Sequence, residues 1–129
     1  MKKTITTDMA PNALGPYSQG LEVNKVLYCS GQIGIDPQKG KLVGLDVVEQ
    51  AKQALQNIKA IVNADGLGVD DIVKVTVFMT NIADFARVNE VYAEFFKSAP
   101  LLPARSAVGV QALPADAKIE IEAMAAKYC

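Results

Sequence analysis

The chain has 129 residues, of which 50% are hydrophobic and 21% are charged, and its formal net charge at pH 7 is −1. This composition indicates one globular domain over residues 1–129 and argues against an intrinsically disordered chain. Histidine is absent, and cysteine occurs only as Cys29 and Cys129. A Ser-His-Asp triad is therefore excluded, and too few ligands remain for a zinc or other soft-metal site.

Neither the charge pattern nor the hydropathy pattern indicates a nucleic acid or a membrane as a partner. Lysine and arginine form no cluster, which argues against binding to phosphates of nucleic acid. The start at Met1, Lys2 and Lys3 resembles a signal peptide, but a polar segment follows where an apolar one is required. No apolar run approaches membrane-spanning length. We expect a cytoplasmic protein with reduced thiols.

The first predicted elements are a loop and a β-hairpin. Residues 10–20 consist mostly of turn-forming residues and predict a loop that presents Tyr17 at the mouth of a strand. The apolar pattern over residues 21–29, interrupted by Asn24 and Lys25, predicts a tight hairpin. On local grounds Tyr17 is either a pocket residue or a half-buried aromatic that anchors the loop.

The second strand of this hairpin ends at Ser30 and Gly31. A glycine at a strand end allows a bound molecule to approach the backbone closely, and a β-bulge is the structural alternative. Residues 36–41 then predict a surface turn.

The first predicted helix is the most regular pattern in the chain. Asp46 is its expected cap, with Glu49 three residues later, and Gly66 its expected C-terminal stop. Residues 72–79 follow as a β-branched strand that we expect to be buried on both faces. The helix carries one apolar stripe, formed by Val47, Val48, Ala51, Ala54, Leu55, Ile58, Ile61 and Val62.

A second helix is predicted from Ile82 to Lys97, with Asn81 as its cap. Asn89 falls inside the apolar arc of this helix. A buried amide without partners is costly, so a hydrogen-bonding partner is expected. Asn89 is then either a core residue that bridges helix to strand or a residue directed towards a site.

The segment 103–110 predicts a strand that begins at a proline. Alternation places Arg105 on one face with Ala107 and Gly109. The small neighbours leave room in front of the guanidinium, which suits a carboxylate or phosphate bound by two hydrogen bonds. A structural ion pair or a solvated edge arginine is the alternative.

The last predicted strand, 118–125, alternates strictly, with Glu120 and Glu122 on the face opposite its apolar residues. If this strand pairs with the strand of Arg105, an arginine and a glutamate meet on one sheet face. The element order predicts an α+β fold with two helices covering one face. The other face, carrying Thr76, Phe78, Met124, Arg105 and the glutamates, predicts self-association that places sites between subunits.

The chain resembles the RidA (YjgF) family of reactive-intermediate deaminases over essentially its whole length. The matching motifs are 15–20 (Gly-Pro-Tyr-Ser-Gln-Gly), 30–33 (Ser-Gly-Gln-Ile), 85–89 (Phe-Ala-Arg-Val-Asn) with Tyr92, 103–106 (Pro-Ala-Arg-Ser) and 119–122 (Ile-Glu-Ile-Glu). The resemblance implies a chorismate-mutase-like α+β fold, with a mixed sheet and two helices on one face. It also implies a homotrimer with clefts at the subunit interfaces. The implied reaction is hydrolysis of 2-iminopropanoate, 2-iminobutanoate and related imines or enamines, released by pyridoxal-phosphate-dependent dehydratases, to 2-oxo acids and ammonia without a cofactor.

The resemblance also implies roles for individual residues. Arg105 would bind the substrate carboxylate, and Glu120 would position or activate the attacking water. A nearby arginine should keep Glu120 ionised. The pocket would be lined by Tyr17, Ser30 and Asn89, with hydrogen bonds from backbone groups near Gly31 and Ala107.

One position departs from the family pattern, since many members have cysteine where this chain has Ala107. Imine hydrolysis needs no thiol, because the substrate is already electrophilic. We interpret Ala107 as a change in pocket shape, and we expect Cys29 to point away from the site.

Two rival functions remain. The same cleft could bind a small carboxylate without turnover, which would make the protein a regulatory trimer. The second rival is an endoribonuclease or translation inhibitor, an activity also attached to the family. The absence of histidine and of a basic face argues against it.

Overall fold

A mixed β-sheet with two helices on one face is the framework of the computed structural model, which describes residues 1–128. Within these residues the sheet has six strands in the order β1-β2-β3-β8-β6-β7, and a separate hairpin contains β4 and β5. This confirms the predicted α+β class. The elements are β1 (Lys2–Ile5), β2 (Gly20–Val23), β3 (Val26–Gln32), β4 (Ile35–Asp36), β5 (Lys41–Leu42), α1 (Val47–Ala64), β6 (Ile72–Met79), α2 (Phe85–Phe95), β7 (Ala104–Gly109) and β8 (Ile119–Ala126).

The predicted hairpin is formed by β2 and β3. Asn24 and Lys25 connect the strands with positive φ angles of 51° and 68°, the geometry of a tight turn that matches the strand twist. The short strand β1, which the sequence pattern did not predict, adds antiparallel to β2 at the sheet edge.

The first helix buries the predicted apolar stripe against the sheet. Gly66 follows the helix with a φ of 78°, and the Leu67 N–H donates to the Val62 carbonyl, so the predicted C-terminal stop is confirmed. Asp46 does not cap the helix with its side chain. Its carboxylate instead accepts a 2.8 Å hydrogen bond from Arg87.

The second helix begins later than its periodicity predicts. Residues Ile82–Asp84 form a 3₁₀ turn, and the Asn81 side chain accepts a 3.0 Å hydrogen bond from the Ala83 N–H at its start. The α-helix then begins at Phe85 and buries Val88 and Tyr92.

The pairing of the last two strands differs from the prediction. Strand β8 pairs with β3 and β6, whereas β7 pairs in parallel with the other side of β6. The long strand β6 therefore separates β7 from β8. The connection over residues 110–118 contains a 3₁₀ turn at Pro114–Asp116. It crosses the end of β6 to join β7 to β8, and it is too long for a tight hairpin.

The two sheet faces differ in burial. The helix face carries buried Val75, Val77 and Met79 of β6, whereas Thr76 and Phe78 on the opposite face are only half-buried. The expectation that β6 is buried on both faces is thus wrong for the single chain. We call this second face the open face; its side chains include Tyr28, Thr76, Phe78, Val108, Glu120, Glu122 and Met124. Among residues 1–128 no helix combines the length and hydropathy of a membrane span.

Gln50 connects three parts of the fold from inside the core. This side chain is 1% exposed. It donates a 2.8 Å hydrogen bond to the Gly44 carbonyl and accepts one of 2.8 Å from the Lys118 N–H. Helix α1 is thereby connected to the loop that precedes it and to the start of β8.

Replacing Gln50 with leucine should lower the free energy of unfolding by about 1–3 kcal/mol, because two backbone groups lose their partners at nearly constant side-chain volume. Chemical unfolding at a fixed protein concentration measures this. Gln56→Leu, an exposed position of the same helix, is the matched control. Equal stabilities of the two variants would show that the Gln50 hydrogen bonds contribute nothing.

Candidate active site

Arg105 and Glu120 do not meet within one chain. Arg105 lies opposite Val75 in the parallel ladder, on the helix face, whereas Glu120 lies opposite Phe78, on the open face. Two strand spacings and three residues along β6 separate their Cα atoms, a distance of about 14 Å. The expectation that they share a sheet face is wrong, because β6 intervenes and the alternation of the strands directs their side chains to opposite faces.

Arg105 lies on the edge strand beside helix α2. Its Nη1 donates a 2.7 Å hydrogen bond to Oδ1 of Asn89. Asn89 thus bridges helix to strand and also contacts the candidate anion-binding group. These two residues line a groove that we call the arginine half-site. The groove is lined by Asn89, Tyr92, Ala93, Phe96, Lys97, Ala99, Pro100, Leu102, Pro103 and Arg105, and none of these residues is acidic.

Glu120 lies in a different cleft, which we call the glutamate half-site. Tyr17, which is 52% exposed, and Gly31 line this cleft with it. The cleft has a volume of about 400 Å³ and includes no lysine or arginine. Its residues are Pro11, Asn12, Leu14, Tyr17, Gly31, Gln32, Ile33, Ile35, Pro37, Gly40, Pro114, Ala115 and Glu120.

Gly31 brings the backbone of β3 against the glutamate side chain. The register between β3 and β8 shifts between Cys29 and Gln32, so Gly31 lies in a bulge. A Cβ placed on Gly31 would overlap the Glu120 carboxylate. A glycine is therefore required at position 31 so that the Glu120 side chain can approach the backbone closely. The group that approaches is this catalytic candidate and not, as predicted, a bound molecule.

The electrostatics of Glu120 also differ from the expectation. Burial raises the pKa of its carboxyl above the usual value, and the nearby Glu122 carboxylate raises it further. Within residues 1–128 its carboxylate forms no ion pair and accepts no hydrogen bond. The expected neighbouring arginine, which would lower this pKa, is not supplied by the same chain.

Ser30 does not line the glutamate half-site; it holds the neighbouring loop in position by hydrogen bonds. Its hydroxyl donates a 2.6 Å hydrogen bond to the Ser18 carbonyl, and its N–H donates to the Gln19 carbonyl at 2.9 Å. Both bonds hold the loop that presents Tyr17 beside the strand that carries Gly31.

Ala107 lies on the same face as Arg105, as alternation predicted. It is half-buried, lies opposite Val77 and packs against the core. Cys29 is buried on the helix face. Burial, with a smaller contribution from Asp65, raises the pKa of its thiol to about 12, so a thiolate is not supplied at this position. Cys129 lies outside the described residues.

Two side chains that the sequence analysis missed fix the walls of the glutamate half-site. Buried Gln19 accepts a 2.7 Å hydrogen bond from the Thr7 N–H and donates one of 2.7 Å to the Pro11 carbonyl. Asn57 of α1 donates to the carbonyls of Ile33 and Ile35 at 3.2 and 2.9 Å. Asn57 is buried at the edge of the apolar stripe of α1, outside the arc that its apolar residues define, so the periodicity that pointed to Asn89 does not point to Asn57. Gln19, in a loop, offers no periodic signal.

No group of three His, Cys, Asp or Glu side chains within residues 1–128 is arranged to hold a metal ion. The side chains that line the two half-sites offer the guanidinium of Arg105, the ammonium of Lys97, the carboxylate of Glu120, and phenol and amide groups.

A family model described as "Endoribonuclease L-PSP" matches residues 7–127. The chain belongs to this family, which is also called the RidA or YjgF family. The predicted resemblance is thereby confirmed.

Relatives named for imine chemistry match nearly the whole chain. A 2-iminobutanoate/2-iminopropanoate deaminase of Salmonella typhimurium is 52% identical over 128 residues, covering 98% of this chain and 99% of that protein. The mouse protein of the same name is 47% identical over 125 residues, covering 97% and 91%. The crystal structure of Escherichia coli TdcF with bound serine has a TM-score of 0.93 at 49% identity, covering 98% of this chain and 99% of that one. The RidA-type fold is thus confirmed.

The Gly31–Glu120 contact can be tested by adding one methyl group. Gly31→Ala should displace the Glu120 carboxylate towards solvent and move its raised pKa down towards the usual value, because the displaced group is less desolvated. Carbon-13 NMR of the carboxyl during a pH titration measures this. Gly44→Ala, where an added Cβ has no neighbour within 4 Å, is the control. An unchanged Glu120 pKa in Gly31→Ala would contradict the contact.

Proposed function

We propose that this protein is a 2-iminobutanoate/2-iminopropanoate deaminase that hydrolyses reactive 2-imino acids to 2-oxo acids and ammonia. The names of its relatives support this, since deaminases of that name are about half identical to the chain along nearly its full length. The observation that carries the proposal is a pair of complementary half-sites. One offers a guanidinium for a carboxylate, and the other offers a carboxylate that can act on water.

The active site in this proposal is formed between subunits of a homotrimer. The arginine half-site is lined by no acidic residue and the glutamate half-site by no basic one, so a second copy supplies what each lacks. The open face supports self-association, because Tyr28 is 46% and Val108 39% exposed there beside half-buried Phe78 and Met124. The number of three subunits rests on the family resemblance.

Substrate binding in this mechanism begins at Arg105. The guanidinium binds the substrate carboxylate by two parallel charge-assisted hydrogen bonds, and this fixes the imine carbon in the glutamate half-site of the neighbouring subunit. Tyr17 and backbone groups near Gly31 line the pocket there, and backbone groups near Ala107 belong to the subunit that supplies Arg105. Ser30 holds the loop that presents Tyr17, and Asn89 holds the arginine.

Glu120 then acts on water. A water hydrogen-bonded to the Glu120 carboxylate attacks the imine carbon, and one of its protons passes to Glu120 as the C–O bond forms. Glu120 passes this proton to the imine nitrogen, which gives the neutral carbinolamine. The hydroxyl proton of the carbinolamine then moves by way of Glu120 to the amine nitrogen as the C–N bond breaks and the carbonyl forms. Ammonia leaves, the 2-oxo acid remains, and Glu120 is again a carboxylate. Within one chain burial raises the pKa of Glu120, which favours proton uptake by the carboxylate, and Arg105 of the neighbouring subunit opposes this shift and keeps the group ionised before water attacks. No cofactor takes part, and we place the reaction in the cytoplasm.

A regulatory trimer that binds a small carboxylate without turnover is the second candidate. The presence of serine in the related TdcF structure favours it, since serine carries the carboxylate that Arg105 would bind. Binding measured by calorimetry without release of 2-oxo acid would establish this alternative.

Replacing Arg105 with alanine should abolish release of 2-oxo acid from imine that a serine or threonine dehydratase generates in a coupled assay, because the carboxylate anchor is lost. Arg87→Ala, which removes the other arginine of the sequence and an exposed ion pair with Asp46, should retain normal turnover. A near-wild-type rate in Arg105→Ala would refute the assignment.

Mixed oligomers can test whether the site lies between subunits. Arg105→Ala and Glu120→Gln should each be inactive alone. Equal amounts refolded together should recover about a quarter of wild-type activity, because a quarter of the interfaces then join an intact Arg105 to an intact Glu120. If both residues served one chain's own site, the mixture would stay inactive.

A further inference from the structure

Arg105 is more restrained than an arginine on an edge strand would ordinarily be. Helix α2 presents Phe85, Asn89 and Tyr92 at spacings of four and three residues, which places them on one stripe of the helix. The Arg105 guanidinium carbon lies 5.1 Å from the centre of the Phe85 ring and 4.7 Å from that of Tyr92, and Asn89 accepts from Nη1 between them. We call these three side chains the arginine cradle.

The cradle leaves the Nε–Nη2 edge of the guanidinium available. The hydrogen bond to Asn89 uses one N–H of Nη1, and within residues 1–128 no acceptor is bound to Nε or Nη2. A carboxylate requires two parallel donors from one edge, and the Nε–Nη2 edge supplies them. Fixing the planar group beforehand also reduces the side-chain entropy that substrate binding would otherwise cost.

Tyr92 is the rigid member of the cradle. It is 8% exposed, and its ring packs 4.8 Å from that of Phe96, which is 1% exposed. Its hydroxyl is buried without a hydrogen-bond partner among the described residues. The Tyr92 ring thus contacts Arg105, while its hydroxyl makes no hydrogen bond among the described residues.

We propose that Tyr92 and Phe85 are positioning residues, whose rings, together with Asn89, orient Arg105 so that its Nε–Nη2 edge receives the substrate carboxylate. This inference rests on the proposed function. It assigns substrate affinity to two aromatic side chains that need not touch the reacting atoms.

Steady-state kinetics can separate this role from simple packing. Tyr92→Leu and Phe85→Leu should each raise KM about three- to tenfold with kcat changed less than about twofold, because the carboxylate anchor acts equally in ground and transition states. Tyr92→Phe keeps the aromatic ring, so its KM should equal that of the wild-type protein. The control is Phe95→Leu, an aromatic of α2 that packs on Phe96. Unchanged KM in both leucine variants, or an equal rise in Tyr92→Phe, would overturn the inference.

An NMR measurement tests the cradle without turnover. The sequence has only two arginines, so Arg87→Ala assigns the Arg105 Hε signal. Ring currents should shift this signal, and Tyr92→Leu should reduce the shift while Phe95→Leu leaves it unchanged. Titration of the signal with 2-oxobutanoate should give a three- to tenfold higher Kd in Tyr92→Leu. If wild-type protein released no 2-oxo acid, the proposed function would fail, but this titration would still show whether Tyr92 orients Arg105 for a carboxylate. Equal Kd values would overturn it.

Discussion

The alternation of side chains across three neighbouring strands determines how this protein can form a site. Arg105 lies opposite Val75 of β6 and points to the helix face, whereas Glu120 lies opposite Phe78 of β6 and points to the open face. No rotamer change within one chain brings their charged groups onto one small substrate. The proposed function therefore places the site that uses both residues between two copies of the chain. The lining of the two half-sites agrees with this constraint, since each contains only one of the two charges.

The charged groups lie on regular strands, whereas side-chain amides hold the irregular parts around them. Gln19 holds the segment near Pro11, Asn57 holds the segment after Gly31, and Asn89 holds Arg105 itself. The charge of Glu120 is set by opposing effects. Burial and Glu122 raise its pKa within the chain, and an arginine from a neighbouring subunit would lower it. Assembly would thus tune this carboxyl as well as complete the site.

The sequence predicted the elements with strong local signals, including the β2–β3 hairpin, the stripe of α1 and its end at Gly66. Strand β1 was missed because its polar, four-residue sequence carries no strand pattern. The prediction that Arg105 and Glu120 share a face was wrong. The alternation of side chains shows which residues of one strand share a face, but it does not show how strands are ordered and aligned in the sheet. The order of strands depends on pairing between segments that are distant in the chain, and local patterns in one sequence do not reveal this pairing. Motifs identified the candidate residues, but only the sheet showed that they form two half-sites.

A crystal structure of the assembled protein with bound 2-oxobutanoate would test the central claim most directly. We expect the carboxylate on the Nε–Nη2 edge of Arg105 from one subunit, and the carbonyl carbon beside Glu120 and Gly31 of its neighbour. A ligand bound entirely by residues of a single chain would contradict it.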